Sequence, residues 1–402
     1  MLNNRLELLS DYAFTKLNKL VEPIQPKADL PPIVMSIGDP QHPPPPFVRD
    51  IIGRTTTPGS EPWGRYPPIN GTPQFRAAAV GWLNRRYRLP AGMLDPERQI
   101  APCAGTREGL FLAALLAVSA SEGDGPKPIA LMPNPFYQVY FGAAVLAGAE
   151  PKFLPATKQT SFFPNLAALD AATLARTQLM ILCTPGNPQG AMADRAYLRD
   201  AIALARHHDF LLVVDECYAE IYNREPPTGA LEAAASLGGS LDNVLAMHSL
   251  SKRSSSAGLR SGFAVGSPQT IAKLWQLRSY CCAATPLPIL EAATALWSDD
   301  DHVPPIRRSY QEKFALAERM IGAKHGYYTP EAGLFLWLDV GDGEAVTKKL
   351  WTEAAVKVLP GAYLTRPDAS GRNDGQAYIR VALVHDLATT ESALARMARV
   401  LQ

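Results

Sequence analysis

The chain has 402 residues, of which 47% are hydrophobic and 19% charged, and a formal net charge of +1. That length exceeds one ordinary core, so two or three domains of a globular protein are expected. A charge so near zero excludes a general attraction to nucleic acid or to an anionic membrane surface, so an anionic ligand must be held by a local site.

The first twenty residues, MLNNRLELLSDYAFTKLNKL, lack a signal-peptide pattern and set Leu6, Leu9, Phe14, Leu17 and Leu20 among charges, which reads as an amphipathic segment. The longest apolar stretch, 110–118, is far shorter than the ~20 residues of a membrane-spanning helix. The cytoplasm is therefore the expected location. Five scattered cysteines, none in a C-x-x-C, read as buried free thiols in a reducing compartment rather than disulfides or a metal site. The prolines of QHPPPP at 41–46 exclude a helix there and read as a link between an N-terminal arm and the main body.

From about residue 70 to 290, helical and strand patterns alternate. Helices are expected over 73–87, 107–120, 136–147 and 195–207. Short continuous apolar runs at 128–132, 179–183 and 210–214 read as strands buried on both faces. The alternation predicts an α/β fold, an open and mostly parallel sheet flanked by helices, with ligands beyond the carboxyl ends of the strands. After about residue 300 the pattern changes. A helix over 305–323, a strand in LFLWLDV (334–340), a helix over 344–355 and a strand in YIRVALV (378–384) predict a smaller α+β domain. The expected division is an N-terminal arm with part of the small domain (1–50), a large domain (51–299) and a C-terminal small domain (300–402).

Four motifs carry chemistry. SLSK at 249–252 puts Lys252 beside hydroxyls on a turn between apolar strands, with Arg260 eight residues on. An isolated lysine is ordinarily a solvated charge. This one suits an amine that forms an imine near a phosphate, because a lysine pKa falls readily on desolvation. Asp215 ends the run FLLVV, at the carboxyl end of a strand. It reads equally as a helix cap or as a carboxylate that keeps a pyridine nitrogen protonated. Tyr218 follows on the same turn. TPGNPQG at 184–190 must be a turn and places Asn187 at another strand end. AGTREG at 104–109 opens a helix, whose free N–H groups and roughly half a positive charge suit a phosphate, although most such starts are plain caps. It matches neither a Walker A loop nor G-x-G-x-x-G.

In this order, NP-x-G, D-x-x-Y, S-x-S-K with its arginine, and a late arginine, the motifs resemble those of the fold-type-I pyridoxal-phosphate (PLP) aminotransferases of class I/II, over nearly the whole chain. The resemblance implies pyridoxal 5'-phosphate as cofactor and a large PLP-binding domain. It implies that Lys252 holds the cofactor as an imine and moves the proton, that Asp215 pairs with the ring nitrogen, and that Tyr218 and Asn187 bind the ring oxygen. Tyr137 would stack on the ring. Gly105, Thr106, Arg107, Ser249 and Arg260 would hold the phosphate, and Tyr66 would reach the phosphate of a partner subunit in a homodimer. Arg380, with Gly38 and Asn187, would bind the substrate α-carboxylate. NPQG replaces the commoner NPTG, the serine run at 254–256 is unusual, and no second arginine for a side-chain carboxylate can be assigned.

The wording of SLSKRSSSAGLRSGF and CTPGNPQGA is most similar to bacterial succinyldiaminopimelate aminotransferases of lysine biosynthesis. Transfer between N-succinyl-LL-2,6-diaminopimelate and 2-oxoglutarate is the expected reaction. Aspartate, aromatic or N-acetylornithine aminotransferases and a carbon–sulfur β-lyase share the same cofactor residues. A PLP-sensing regulator would need a DNA-binding module, and no basic helix-turn-helix precedes the core.

Overall fold

The computed structural model describes residues 2–9, 11–57, 59, 62–119, 125–322 and 324–401. Its strands are β1 (Ile33–Val34), β2 (Ile100–Cys103), β3 (Ile129–Asn134), β4 (Glu150–Pro155), β5 (Thr177–Cys183), β6 (Leu211–Asp215), β7 (Val244–Ser249), β8 (Gly262–Gly266), β9 (Phe335–Asp339), β10 (Val356–Lys357), β11 (Leu359–Pro360) and β12 (Tyr378–Ala382). Seven of them form one sheet in the order β2-β8-β7-β6-β5-β3-β4. Only β8 runs against its neighbours; the other pairings from β7 to β4 are parallel.

The continuous apolar runs follow from two covered faces. Met180, Leu182, Leu212 and Val214 enter a core shared with helices Pro73–Tyr87, Arg195–His207 and Leu287–Ser298. Their neighbours Leu179, Ile181 and Val213 enter the opposite core, under helices Thr106–Ala117, Gln138–Ala147 and Pro268–Cys281. With no wet face there is no reason for alternation.

A second unit holds the antiparallel order β11-β12-β9, and β1 pairs in parallel with β10. Helices Val303–Ile321 and Leu387–Val400 close its core, which also takes in Tyr218 and Ile221 from the chain just after β6. The two units are thereby packed together where β6 ends.

Several expectations change in detail. The proline run does not stay outside helix throughout: Pro46 opens the helix Pro46–Arg54, because a first-turn residue needs no N–H partner. The same tolerance lets the long helix begin at Val303, ahead of the expected 305, with Pro304 and Pro305 in its first turn; residue 323, its expected end, lies outside the described residues. The amphipathic N-terminus is helical over Ala13–Val21, with Leu17 buried, whereas Leu6 is exposed. All five cysteines are free, but only Cys103 is buried: Cys183, Cys217 and Cys282 are half-buried and Cys281 is exposed at a helix end. Among the described residues no helix is long and apolar enough to cross a membrane.

Candidate active site

Strands β5, β6 and β7 end side by side, with Cys183 in register with Asp215 and Asp215 with Met247. Beyond these ends lies a cavity of about 350 Å³. Every residue singled out in the sequence lines it except Gly105 and Tyr66.

Ser249 ends β7 and caps the helical turn Leu250–Arg253, its hydroxyl accepting from the Ser251 N–H at 3.1 Å. That turn aims Lys252 into the cavity, where its amine donates to the Gly38 carbonyl. Burial pushes the Lys252 amine down to about 8. More of it is a neutral nucleophile near neutral pH than of a surface lysine. The following serines are buried and anchor the loop: Ser254 Oγ lies 2.9 Å from His302 Nε2, and the Ser256 hydroxyl donates to the Ser254 carbonyl.

Asp215 is buried, and its two hydrogen-bond partners are neutral. The Tyr140 hydroxyl donates to Oδ2 at 2.9 Å and the Cys217 N–H to Oδ1 at 3.3 Å. Burial raises the Asp215 pKa, and both hydrogen bonds oppose that rise. A buried carboxylate with only neutral donors is suited to a cation, and a protonated pyridine nitrogen is one.

The phosphate-binding expectation falls on the helix Thr106–Ala117, whose N-terminus has no side-chain cap. Its first N–H groups and its dipole suit an anion. Arg260 lies over this end, donating to the Ala257 carbonyl at 2.8 Å and the Ala104 carbonyl at 2.9 Å. Gly105 is required beneath it: φ is +79°, and a Cβ there would stand 2.7 Å from Arg260 Nη2. Gly105 thus shapes the site without lining it. Arg107 is exposed at the mouth and donates from Nε to the Tyr137 hydroxyl at 2.8 Å.

At the other end, Arg380 Nη1 donates to Asn187 Oδ1 at 3.1 Å and Nη2 to the Ser36 carbonyl at 2.8 Å. Its buried Nε has no partner among the described residues, and its guanidinium lies 4.3 Å from the Phe335 ring centre. Burial pushes Arg380 down to about 10. Gly38 permits this packing, since a Cβ there would stand 2.5 Å from Phe335 Cζ. The Tyr218 hydroxyl bonds no protein group among the described residues, though the side chain is buried. A lysine, a buried acid, an uncapped helix end with an arginine, and a second arginine held only by neutral oxygens together fit an aromatic phosphate cofactor and a carboxylate substrate.

Tyr66 is fully exposed and does not line the cavity of its own chain. Sequence reasoning missed Tyr140, Ser251 and Tyr12, all of which line the cavity. Tyr140 falls three residues after Tyr137 in the same helical turn, and Ser251 completes the S-x-S-K motif, so both had a local signal. Tyr12 had none, because it sits on an arm whose course only the fold determines.

The family model for aminotransferase class I and II matches residues 31–397. An LL-diaminopimelate aminotransferase of Syntrophobacter fumaroxidans is 30% identical over 403 residues, 98% of each chain. The 4-dedimethylamino-4-oxo-anhydrotetracycline transaminase OxyQ of Streptomyces rimosus is 32% identical, over 91% of this chain and 92% of that one. Among solved structures, an aminotransferase from Neisseria meningitidis superposes with a TM-score of 0.93 at 35% identity, over the whole of both chains.

Proposed function

Because the chain belongs to the class I and II aminotransferases, a PLP-dependent family, we propose that it exchanges an amino group between N-succinyl-LL-2,6-diaminopimelate and 2-oxoglutarate, a step of lysine biosynthesis. The observation that carries the reading is the set of half-buried Lys252 and buried Asp215 and Arg380 around one cavity at the strand ends.

The family resemblance gives these residues their roles, and their shared place around the cavity supports them. Lys252 would hold the cofactor through its amine, and once the substrate amine has displaced it, its free Nζ would take and move the proton of the substrate Cα. Asp215, whose burial-raised pKa the Tyr140 and Cys217 hydrogen bonds oppose, would pair with the ring nitrogen. Tyr218 and Asn187 bind the ring oxygen, and Tyr137 stacks on the ring. Gly105, Thr106, Arg107, Ser249 and Arg260 hold the phosphate, completed by Tyr66 of a second subunit in a homodimer. Arg380 binds the α-carboxylate by its fork, beside Gly38, which sets the Cα–H bond near Lys252. Bound pyridoxal phosphate supplies the electron sink that makes this proton removable. The reading divides the chain near residues 50 and 299 into arm, cofactor-binding domain and small domain.

The mouth of the cavity is where the substrate's distal end would lie. Past Tyr12 and Arg107 the cavity opens on a wider groove of about 720 Å³, with Phe111, Leu115 and Phe141 along it. Arg366 faces this groove, and so do Arg107 and Arg260, which this reading gives to the phosphate, while its one acid, Glu108, is paired with Arg278. A long chain ending in carboxylates suits a cationic groove. The names of several relatives favour a second reading, unmodified LL-diaminopimelate, whose distal carboxylate is offset by an ammonium where the succinylated substrate has a second carboxylate instead.

The test is half-transamination of the cofactor-loaded protein by a panel of amino acids, read as loss of the cofactor's near-visible absorption. The succinylated donor is expected to give the highest kcat/KM. A preference of tenfold or more, roughly 1.4 kcal/mol, for LL-diaminopimelate, aspartate or an aromatic amino acid would replace the substrate. Faster release of pyruvate from cystathionine would replace the reaction with β-elimination.

A further inference from the structure

Residues 36–42 form a strap along one wall of the site. Its inner edge presents two carbonyls, that of Ser36 to Arg380 Nη2 at 2.8 Å and that of Gly38 to Lys252. The far end of the strap is held from outside the site. Gln41 N donates to the Val384 carbonyl at 3.1 Å, and His42 Nε2 lies 2.7 Å from Lys313 Nζ.

Lys313 stands on the helix Val303–Ile321 and is 1% exposed. Its amine also donates to the Leu383 carbonyl at 3.2 Å and sits 4.6 Å from the Tyr310 ring centre. The imidazole of His42 meets the same ring edge-on at 5.8 Å. All the groups that bond this buried amine are neutral, an arrangement that costs stability and that an apolar residue of the same length would avoid. What the amine adds is a tie between the long helix and the strap.

We propose that Lys313 is a positioning residue: through His42 it latches the 36–42 strap, whose carbonyls aim Lys252 and Arg380 into the site. The proposal rests on the roles given above to those two residues. The Lys313 ammonium donates to the Nε2 lone pair of a neutral imidazole, which places the ring proton on Nδ1, a tautomer assigned from this contact.

The charges around the pair set when the latch holds. Burial lowers the His42 pKa, with the Lys313 charge adding to it and Asp386 opposing. Burial also pushes Lys313 down to about 8, against the carboxylates of Asp386 and Glu312. Ser309 Oγ lies 3.5 Å from His42 Nε2, and Asp39 is the charge that faces Tyr310. The depressed pKa of His42 makes its contribution full above the ordinary imidazole value and lost as pH falls through the lowered one. Below that, Nε2 carries a proton, two cations face each other, and the strap is released.

The test is amide hydrogen exchange of the 36–42 segment in the cofactor-loaded protein. Lys313→Met and His42→Leu should speed exchange about tenfold, the loss of one charge-assisted hydrogen bond. His42→Gln, whose side-chain oxygen accepts in place of Nε2, should exchange as the unaltered protein does and lose its acceleration at acid pH. In steady state, Lys313→Met should raise KM for the amino donor more than it lowers kcat. Unchanged exchange in Lys313→Met and His42→Leu would overturn the latch. If Lys313→Met fails to fold, the two His42 variants decide alone. Exchange that responds in a preparation without transamination keeps the latch and overturns the functional reading; unchanged exchange in an active preparation does the reverse.

Discussion

Tyr140 and Asp215, 75 residues apart in the chain, meet at 2.9 Å beneath the cavity. The tyrosine comes from a helix on one face of the sheet and the aspartate from the end of β6. Its hydroxyl lowers the pKa that burial raises. Tyr140→Phe should therefore raise the Asp215 pKa further. We expect kcat to fall about tenfold, the loss of one hydrogen bond to a charged group, and the acid limb of the pH–rate profile to move upward.

Asp215 carries a cost in the cofactor-free protein. Its folded pKa lies above its unfolded value, so its contribution is favourable below the unfolded value and lost as pH rises through the folded one. Asp215→Asn should raise the melting temperature of the cofactor-free protein at pH 7. The gain should shrink as pH falls toward 4. The same variant should lower kcat by about 10³-fold or more. Scanning calorimetry across pH checks the first effect and single-turnover kinetics the second.

Arg380 keeps its place through Asn187, Ser36 and the Phe335 face. Arg380→Lys retains a charge but loses the planar fork and the stacking. The expected loss in kcat/KM is about 10²-fold, roughly 2.7 kcal/mol, equal for amino donors and 2-oxo acid acceptors because both present the same carboxylate. Cofactor affinity should not change.

Gly105→Ala puts a methyl against Arg260 Nη2 in a left-handed backbone position. The strain should displace Arg260 from the helix end. Cofactor dissociation should increase about tenfold, measured by equilibrium dialysis, while KM for the amino donor at saturating cofactor stays near that of the unaltered protein.

Tyr66 is fully exposed on its own chain, which suits a side chain used by a neighbour. Tyr66→Phe and Lys252→Ala preparations should each be impaired. When their subunits are mixed and exchanged, activity should return in part, because one site of each hybrid pairs an intact Lys252 with an intact Tyr66. A mixture no more active than the sum of its parts would show that Tyr66 serves no partner site.

The strands and most helices were legible because their causes are local. An apolar run such as Leu179 to Cys183 has few ways to hide except between two layers, and the spacing of Arg195 to His207 leaves one face for the core. The placement of Asp215 at a strand end followed from a second such run, FLLVV at 210–214. Motif order, rather than any single residue, made the family and its cofactor readable. Sequence could not supply contacts made across the chain. Arg380 reaches Asn187 over 193 positions, and the Gly38 carbonyl reaches Lys252 over 214. These depend on a strand order in which β8 returns beside β2 and on the packing of the small unit against the end of β6. The hydrogen bond from Tyr140 to Asp215, the arm that brings Tyr12 to the mouth, and the Lys313–His42 pair exist only once those elements are stacked. A side chain's partner is set by where the backbone delivers it, and that is decided by the packing of the whole chain.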